Sequence, residues 1–284
     1  MTRTSSMKKK KIASKVAFYI GNIIIGIIFV SPLIWMISAS FKPETEIFSN
    51  LKSLMTFIPT NFTVTNYAEV FGRLNLVQIL WNTISYIALI ILGDLLFGSL
   101  CGYALAKFNF KGRGLMLTLV IALMSMPMEA ILLPLYIEMS QFNMVNTTAA
   151  LVLPFMVKCF SIYMFYSYFV DIPQELIEAA SIDGSGPIRT FFSVVMPISK
   201  TVYATVFILD FVQHWNDFMW PFLVTTGEDK RTIQLAIQIF FGTQPVHYGA
   251  IMAALTVASI PMLIMFVFMQ KYYVQGIAST GIKG

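Results

Sequence analysis

Charged residues are scarce in this chain. Asp, Glu, Lys and Arg together make up 12% of its 284 residues, whereas a soluble domain usually carries about 25%. Hydrophobic residues account for 57%, and the mean hydropathy is +0.74. This composition excludes an ordinary soluble domain and indicates that lipid is the main solvent of the chain. We therefore expect an all-α, polytopic membrane protein with spans of about 20 residues each.

Histidine and cysteine are also rare, and this limits the chemistry that the chain can perform. The histidines are His214 and His247, and the cysteines, Cys101 and Cys159, lie inside apolar runs. The pattern offers no Cys–His cluster, no metal-ligand spacing and no disulfide framework. The sequence predicts no catalytic residue and no metal site, and it gives the cysteines the role of small buried hydrophobes.

A phosphate-binding loop is missing as well. The run from Gly276 to Gly284 comes nearest to one, but Lys283 is displaced by one position and no Ser or Thr follows it. In a true loop the lysine reaches the phosphates and the following hydroxyl binds magnesium. We therefore expect that this chain alone binds no ATP.

Long apolar runs define six expected membrane spans. The first, at 16–38, follows a basic tail at 1–15 and exceeds a signal-peptide core of about 7–15 residues. We therefore expect a retained anchor, with cleavage near Ser40 as the alternative. The other expected spans lie at 78–106, 115–139, 147–170, 201–224 and 248–269.

The spans divide the chain into four regions and set its orientation. The regions are the tail at 1–15, the first span with an external loop at 16–77, a core at 78–270 that contains a polar loop at 171–199, and a tail at 271–284. Of the 19 Lys and Arg residues, thirteen lie on the side of the two tails and five on the opposite side. Because Lys and Arg are enriched on the cytoplasmic side, both termini and the loop at 171–199 are expected inside. The net charge of +5 then reflects topology and not nucleic-acid binding.

The last external stretch, 225–247, is too hydrophobic to be fully solvated. It contains an apolar run from Ile233 to Phe241, followed by a turn signal at Gly242 to Pro245. One interpretation is a segment that dips back toward the spans, which requires packing on protein or a cavity. The alternative is an amphipathic helix at the membrane interface.

The polar loop at 171–199 has the most specific residue pattern in the chain. Its spacing predicts a short helix from Glu175 to Ile182, a turn at Gly184 that a side chain would resist, and a second helix from about Pro187. Small residues at 179–181 would leave one face open to another protein. From the residues alone, a docking element and an ordinary solvated connector are equally acceptable.

A few polar groups inside the expected spans suggest a translocation path. Lys158 falls near the middle of a span, where a charge costs about 2.5–3.5 kcal/mol on insertion scales. Such a residue either lines a pore or pairs with a partner helix. Trp215, Asn216 and Asp217 combine an aromatic plane with amide and carboxylate groups, as a sugar-facing surface would. An interfacial aromatic belt is the alternative for this group.

The loop also carries a family resemblance. Glu178-Ala179-Ala180, Gly184 and the later Val194-Val195-Met196-Pro197 resemble the cytoplasmic-loop signature of bacterial ABC importer permeases, with Val194 in place of Ile and Met196 in place of Leu. The longer run from Ile172 to Gly184, with Trp215 to Asp217 downstream, is similar to the smaller permease of the maltose-type carbohydrate family. The resemblance covers about residues 16–284.

This resemblance implies a type I ABC importer permease fold with six transmembrane helices in a bacterial plasma membrane. It also implies an ATPase-coupling set formed by Glu178, Ala179, Ala180, Asp183, Gly184 and Pro197. The partners it implies are a homologous second permease, two ATPase subunits that hold ATP and magnesium, an extracytoplasmic sugar-binding protein and a carbohydrate. No cofactor is expected on this chain. Two alternatives remain at this point: an ABC permease for glycerol phosphate or another polar solute, and an ion-coupled secondary transporter.

Overall fold

A computed structural model of the chain describes residues 2–49, 51–242 and 244–281, with side chains between residues 14 and 272 of these ranges. Regular structure in the described residues is helical, and they contain no β-strand. The predicted all-α class is confirmed.

The described residues form fifteen α-helices. They are α1 (Thr2–Ser40), α2 (Thr65–Arg73), α3 (Leu76–Gly93), α4 (Ser99–Lys107), α5 (Arg113–Met124), α6 (Met128–Gln141), α7 (Thr148–Val152), α8 (Cys159–Val170), α9 (Gln174–Ile182), α10 (Pro187–Thr190), α11 (Met196–Ile198), α12 (Lys200–Trp215), α13 (Met219–Val224), α14 (Ile233–Gly242) and α15 (Tyr248–Gly281). Two π-helical turns, Asp94–Gly98 and Phe191–Val195, and three 3₁₀ turns, Glu44–Glu46, Leu54–Phe57 and Leu153–Phe155, complete the regular structure.

Four helical stretches are long and apolar enough to cross a membrane. They are Ser14–Ser40, Leu76–Lys107, Thr148–Val170 and Tyr248–Tyr272. Two bent pairs of helices also pass the test of length and composition, α5 with α6 at 102°, and Pro187–Ile198 with α12 at 81°. The described residues therefore contain four candidate spans, or six if each bent pair is one span. The second bent pair covers Pro187–Trp215, whereas the sequence predicts the fifth span at 201–224.

The expected third and fifth spans are not continuous helices. The third is interrupted between Met124 and Met128, because Pro127 has no N–H and disfavours helical backbone at the residue before it. The fifth was expected to run from 201 to 224, but α12 ends at Trp215 and α13 begins only at Met219. The carboxylate of Asp217 accepts the N–H of Trp220 at 3.2 Å, which satisfies one free donor at the start of α13.

Glycines bring the second and fourth spans into close contact. A Cβ atom at Gly102 would lie 2.6 Å from the Cβ of Phe165 and 2.9 Å from the backbone nitrogen of Tyr166, and one at Gly93 would lie 2.9 Å from the Cβ of Met156. A Cβ atom at Gly98 would make only an ordinary van der Waals contact with the Cβ of Ser161, at 3.6 Å. Small residues allow helix backbones in membranes to approach and gain dispersion contacts. The two spans therefore run in parallel, with 93, 98 and 102 opposite 156, 161 and 165.

The π-helical turn Asp94–Gly98 keeps these glycines on one face. Gly93 and Gly98 are five residues apart, and in a regular α-helix of 3.6 residues per turn they would point in different directions. The wider turn takes up the additional residue, as π-bulges do. Gly98 and Gly102 then follow at the ordinary spacing of four.

A buried aromatic and aliphatic cluster joins the second, fourth and fifth spans to the loop at 171–199. Tyr103 contacts Phe191 with 5.3 Å between ring centroids, and Phe165 stacks on Phe169 at 5.6 Å. The cluster consists of Tyr103, Phe165, Phe169, Ile172, Phe191, Val195, Val202 and Val206. Burial of these side chains fixes the end of the loop, because each fully buried large side chain contributes roughly 1.5–3 kcal/mol.

The chain forms two compact units. One consists of the described residues up to Leu74 and of Ile239–Ser259, and the other of Asn75–Gln238 and the described residues from Ile260 onward. In the first unit, the carboxylate of Glu44 accepts the backbone N–H groups of Tyr248 and Gly249, both at 2.9 Å. A carboxylate at this place satisfies free donors and matches the positive end of the helix dipole.

The expected external loop after the first span is folded, with α2 and two 3₁₀ turns. Lys42 is 2% exposed and donates to the carbonyls of Thr56 at 2.8 Å and Met55 at 3.2 Å. Burial lowers the pKa of Lys42, while the charge of Glu46 partly opposes that change. Asn66 ties the same stretch to the end of α1 by donating to the carbonyls of Ser40 and Lys42.

The apolar segment after residue 225 packs on protein. Ile233, Ala236 and Ile237 of α14 are buried. The N–H of Ile233 donates to the Thr83 hydroxyl at 2.9 Å, and the Gln234 side chain donates to the Trp215 carbonyl at 3.1 Å. These contacts meet the packing requirement of the re-entrant interpretation, and both this interpretation and the interfacial helix stay predictions.

Gly102 provides a test of the close contact between the second and fourth spans. We expect Gly102→Ala to lower the thermal stability of the purified protein in detergent, because the added methyl group meets a backbone atom that cannot rotate away. Overpacking of this kind costs roughly 1–3 kcal/mol. The matched control is Gly114→Ala in α5, where a Cβ atom meets nothing within 4 Å. Equal melting temperatures for the two variants would contradict the contact.

Candidate functional site

The loop at 171–199 contains the predicted helix–turn–helix. Helix α9 begins after Pro173 and ends at Ile182, and α10 begins at Pro187. Gly184 has φ +81°. Its N–H donates to the Ser181 carbonyl at 3.0 Å, and the N–H of Ser185 donates to the Ala180 carbonyl at 2.9 Å. This pair of bonds is a Schellman motif, which explains why glycine stands at position 184.

Helix α9 and the turn that follows it present most of the predicted coupling residues on the surface of the chain. Glu178, Ala179, Asp183 and Gly184 are exposed. Ala180, however, is only 9% exposed, so it packs against the rest of the chain and is not part of an open small face. Within the described residues, Glu178 has no hydrogen bond and no ion pair, so its carboxylate is free to bind another molecule.

Two isoleucines add apolar area to this surface. Ile182 is 86% exposed and Ile188 is 70% exposed, one on each side of the turn at Gly184. The sequence pattern of the loop gave no reason to single them out. An apolar side chain beside a free carboxylate is the composition of a protein interface, where apolar contacts surround a few charged groups.

The second half of the loop is anchored. In the π-helical turn Phe191–Val195, the N–H of Met196 donates to the Phe191 carbonyl, and Phe191 and Val195 are fully buried. The next residue, Pro197, is exposed and has no N–H to continue a regular helix. Pro197 therefore helps to end the helical turns of the loop before the 81° bend into α12.

Lys107 anchors the first half of the loop. Its ammonium group, at the end of α4, donates to the backbone carbonyl of Ile172 at 2.6 Å. Asp171 and Glu175 lie close enough to interact with it electrostatically. Because Ile172 is followed by Pro173 and α9, this bond fixes the place where the exposed helix starts.

Lys158 lies at a break in the fourth span. Helix α7 ends at Val152, a 3₁₀ turn that contains Pro154 follows, and α8 begins only at Cys159. The N–H of Lys158, at the start of α8, donates to a carboxylate oxygen of Asp94 at 2.8 Å. Its ammonium group forms an ion pair with Asp210 and donates to Gln213 at 3.1 Å. Lys158 therefore has its partners within the chain, on the second and fifth spans.

Trp215, Asn216 and Asp217 do not share one open face. Trp215 is 2% exposed and stacks on Phe211 with 5.4 Å between centroids. Asn216 is exposed, although its amide donates to the Val212 carbonyl at 2.8 Å. Asp217 is half-buried at the start of α13. Their predicted contact with a sugar stays a prediction, and Asn216 is the member with most free surface.

His214 was not singled out by the sequence pattern, but it lies close to Lys158. It is buried, its ring lies 5.4 Å from that of Phe155, and both ring nitrogens have no hydrogen-bond partner in the described residues. Its backbone carbonyl accepts the hydroxyl of Tyr86 at 2.5 Å.

Within the described residues, no group of three or more His, Cys, Asp and Glu side chains has a geometry that could hold a metal ion.

Comparisons with known proteins agree with this architecture. The model of the family described as "Binding-protein-dependent transport system inner membrane component" matches residues 94–279. The arabinooligosaccharides transport system permease protein AraQ of Halalkalibacterium halodurans is 33% identical over 266 residues, which are 93% of this chain and 95% of that protein. The sn-glycerol-3-phosphate transport system permease protein UgpE of Brucella abortus is 29% identical, over 91% of this chain and 94% of that protein.

A solved structure shows the same fold. It is the crystal structure of a bacterial ABC transporter involved in the import of the acidic polysaccharide alginate, with a TM-score of 0.78 and 19% sequence identity, covering 96% of this chain and 99% of that one. The family match also removes the secondary-transporter alternative, because this family consists of permease subunits of ABC importers whose ATPase activity lies on separate subunits. The chain therefore belongs to the binding-protein-dependent transport system inner membrane components, the permease subunits of ABC importers.

Proposed function

We propose that this permease imports a carbohydrate together with a homologous second permease, two ATPase subunits and an extracytoplasmic sugar-binding protein. The carbohydrate is supported by the likeness to a permease named for arabinooligosaccharides. ATP and magnesium would bind to the ATPase subunits. The membrane is the bacterial plasma membrane, with both termini and the loop at 171–199 on the cytoplasmic side, as the distribution of basic residues favours.

The observation that carries this proposal is that α9 is both exposed and held in a fixed place. An exposed helix with an unpaired carboxylate at Glu178 is held in place by a Schellman motif on one side and by the Lys107–Ile172 bond on the other. A solvated connector needs neither of these restraints. We therefore assign α9 and the adjoining turn as the docking element for an ATPase subunit, with Glu178 paired to a basic residue of that partner.

Because the loop is anchored to the spans, docking of an ATPase subunit on α9 would also move the spans. Closure of two ATPase subunits around ATP would push α9, and the push would pass through Lys107 and the buried cluster of Phe191 to the second and fourth spans. Rigid-body movement of packed helices about an interface is an established route to alternating access. Asp183, Gly184 and Pro197 act by setting the angle of the loop, and Ala179 by leaving room beside Glu178.

We also propose that Lys158, Trp215, Asn216 and Asp217 lie along the translocation path. The exposed Asn216 would offer its amide to a passing hydroxyl group, while Trp215 would support it from behind. Lys158 would act through its ion pair and not as a free cation. Because its ammonium is already neutralised by Asp210, this part of the path is better suited to a neutral sugar than to an anion.

A glycerol phosphate remains the second candidate solute, because a permease named for sn-glycerol-3-phosphate is 29% identical to this chain. The two candidates differ in charge, and the binding protein must discriminate between them. Calorimetric titration of the cognate binding protein with neutral oligosaccharides and with sn-glycerol-3-phosphate separates them. Micromolar binding of the phosphate alone would transfer the assignment to the second candidate.

The orientation can be tested with single cysteines. In a background with both native cysteines replaced, we expect Gln141→Cys to react with a membrane-impermeant maleimide in intact cells. We expect Gly186→Cys to react only after permeabilisation. Both positions are exposed. The opposite labelling pattern would contradict the orientation.

Glu178 tests the docking interface. We expect Glu178→Ala to weaken copurification of the ATPase, because the basic partner would be left unpaired in a desolvated cleft, at roughly 2–5 kcal/mol. The fold of the permease itself should not change, since Glu178 is exposed and has no partner in the described chain. Gln174→Ala, an exposed position on the same helix, is the matched control. Equal recovery of ATPase with both variants would remove Glu178 from the interface.

Gly184 tests the angle of the loop. A β-branched residue at φ +81° is strained by roughly 1–2 kcal/mol, so Gly184→Val should deform the Schellman motif and reorient α9. We expect the complex to assemble but to transport less solute per ATP hydrolysed in reconstituted vesicles. Gly184→Asn is the control, because Asn tolerates left-handed backbone and should retain coupling. If the Gly184→Val variant transported as much solute per ATP hydrolysed as the wild type, the angle of the turn would have no role in coupling.

A further inference from the structure

The three charged residues beside the break in the fourth span lie at one level of the second, fourth and fifth spans. Asp94 belongs to the π-helical turn Asp94–Gly98, Lys158 precedes α8, and Asp210 is in α12. Asp94 and Asp210 are 0% and 2% exposed. Within the part of the chain that the structure describes, each of these carboxylates has one oxygen, Oδ2, that is buried without a hydrogen-bond partner. A buried carboxylate oxygen without a donor is costly, so the arrangement calls for a reason beyond packing.

On the side of the loop, the second and fourth spans behave as one body. Gly102 locks α4 onto α8, Tyr103 and Phe169 belong to one buried cluster, and Lys107 ties the end of α4 to Ile172, next to α9. We call α4, α8 and α9 together the coupling arm. A force on α9 is transmitted along this arm up to the level of Asp94 and Lys158.

At that level, both spans of the arm lose regular backbone structure. The second span has its π-helical turn between α3 and α4, and the fourth span has its break between α7 and α8. Both irregular places are local departures from the i to i−4 bonding that keeps a helix straight, and such places are where helices bend. The coupling arm can therefore turn relative to α3 and α7 without unfolding either span.

We propose that Asp94, Lys158 and Asp210 form the pivot of the coupling arm, and that the Lys158 ammonium exchanges carboxylates when the arm turns. In the structure the ammonium is paired with Asp210. The carboxylate of Asp94 already accepts the backbone N–H of Lys158, and within the described residues its second oxygen, Oδ2, is left as an acceptor without a partner. Asp94 and Asp210 are then positioning residues for transport. This inference rests on the proposed coupling of α9 to an ATPase.

The exchange keeps the Lys158 ammonium, whose side chain is 16% exposed, paired in both positions of the arm. An ammonium left unpaired away from water is costly, and a second acceptor removes that cost for the ammonium. It also makes the two positions discrete, because the ammonium is bound to one carboxylate or the other. Bistable elements of this kind convert a small push into a defined movement.

Asp94→Asn separates exchange from a purely structural role. The Asn carbonyl oxygen still accepts the N–H of Lys158, so the break in the fourth span stays satisfied and the complex assembles. The second acceptor for the ammonium is lost. We expect solute transported per ATP hydrolysed in reconstituted vesicles to fall at least tenfold. Glu129→Gln, a neutralised carboxylate on α6 that has no part in the network, is the control and retains coupling.

A second variant covers the case in which single charges disturb folding. Lys158→Met with Asp94→Asn and Asp210→Asn removes all three charges, so that none is left alone, and we expect an assembled complex that hydrolyses ATP without transport. Wild-type coupling in Asp94→Asn or in the triple variant overturns the pivot. Absence of ATP-driven uptake in the wild-type vesicles themselves would instead contradict the proposed function.

Discussion

The fourth span is broken before α8, and a backbone N–H exposed by such a break has no water to bind inside a bilayer. The centre of this fold depends on which group accepts that N–H. The break in the fourth span exposes the N–H of Lys158, and a carboxylate oxygen of Asp94 accepts it. That solution buries a carboxyl group. Beside it lies the ion pair of Lys158 with Asp210, and charged residues inside membranes are usually paired in this way. One broken helix thus requires residues from three spans.

This arrangement is possible because the second and fourth spans approach closely. Glycines at 93, 98 and 102 leave no side chain between the two backbones, and the π-helical turn keeps all three on one face. The same approach brings Tyr103 against Phe169 and places Lys107 beside Ile172. The path from the charged group to the exposed helix α9 therefore runs through tight contacts and one directional hydrogen bond, without a flexible joint between them.

Local features of this fold could be predicted from the sequence, and long-range ones could not. Apolar runs located the first, second, fourth and sixth spans to within a few residues, and Gly184 with Pro187 located the turn and second helix of the loop. The helix breaks near Pro127 and after Trp215 were missed, because the apolar runs on the two sides of each break were taken as one span. The bond of Lys107 to Ile172 and that of Lys158 to Asp94 join residues 65 and 64 positions apart, which no local pattern reveals. Ala180 seemed part of an open face in sequence, but its burial depends on a tertiary contact.

The most direct test of the account is a photo-crosslink from the exposed loop. Benzoylphenylalanine at position 182, where the Ile side chain is 86% exposed, should reach a partner that docks on α9 without disturbing the core. Irradiation of the assembled transporter in its membrane is predicted to give one covalent product that contains this chain and an ATPase subunit. An assembled complex that hydrolyses ATP but yields crosslinks only to lipid would contradict the role of the loop as the coupling element.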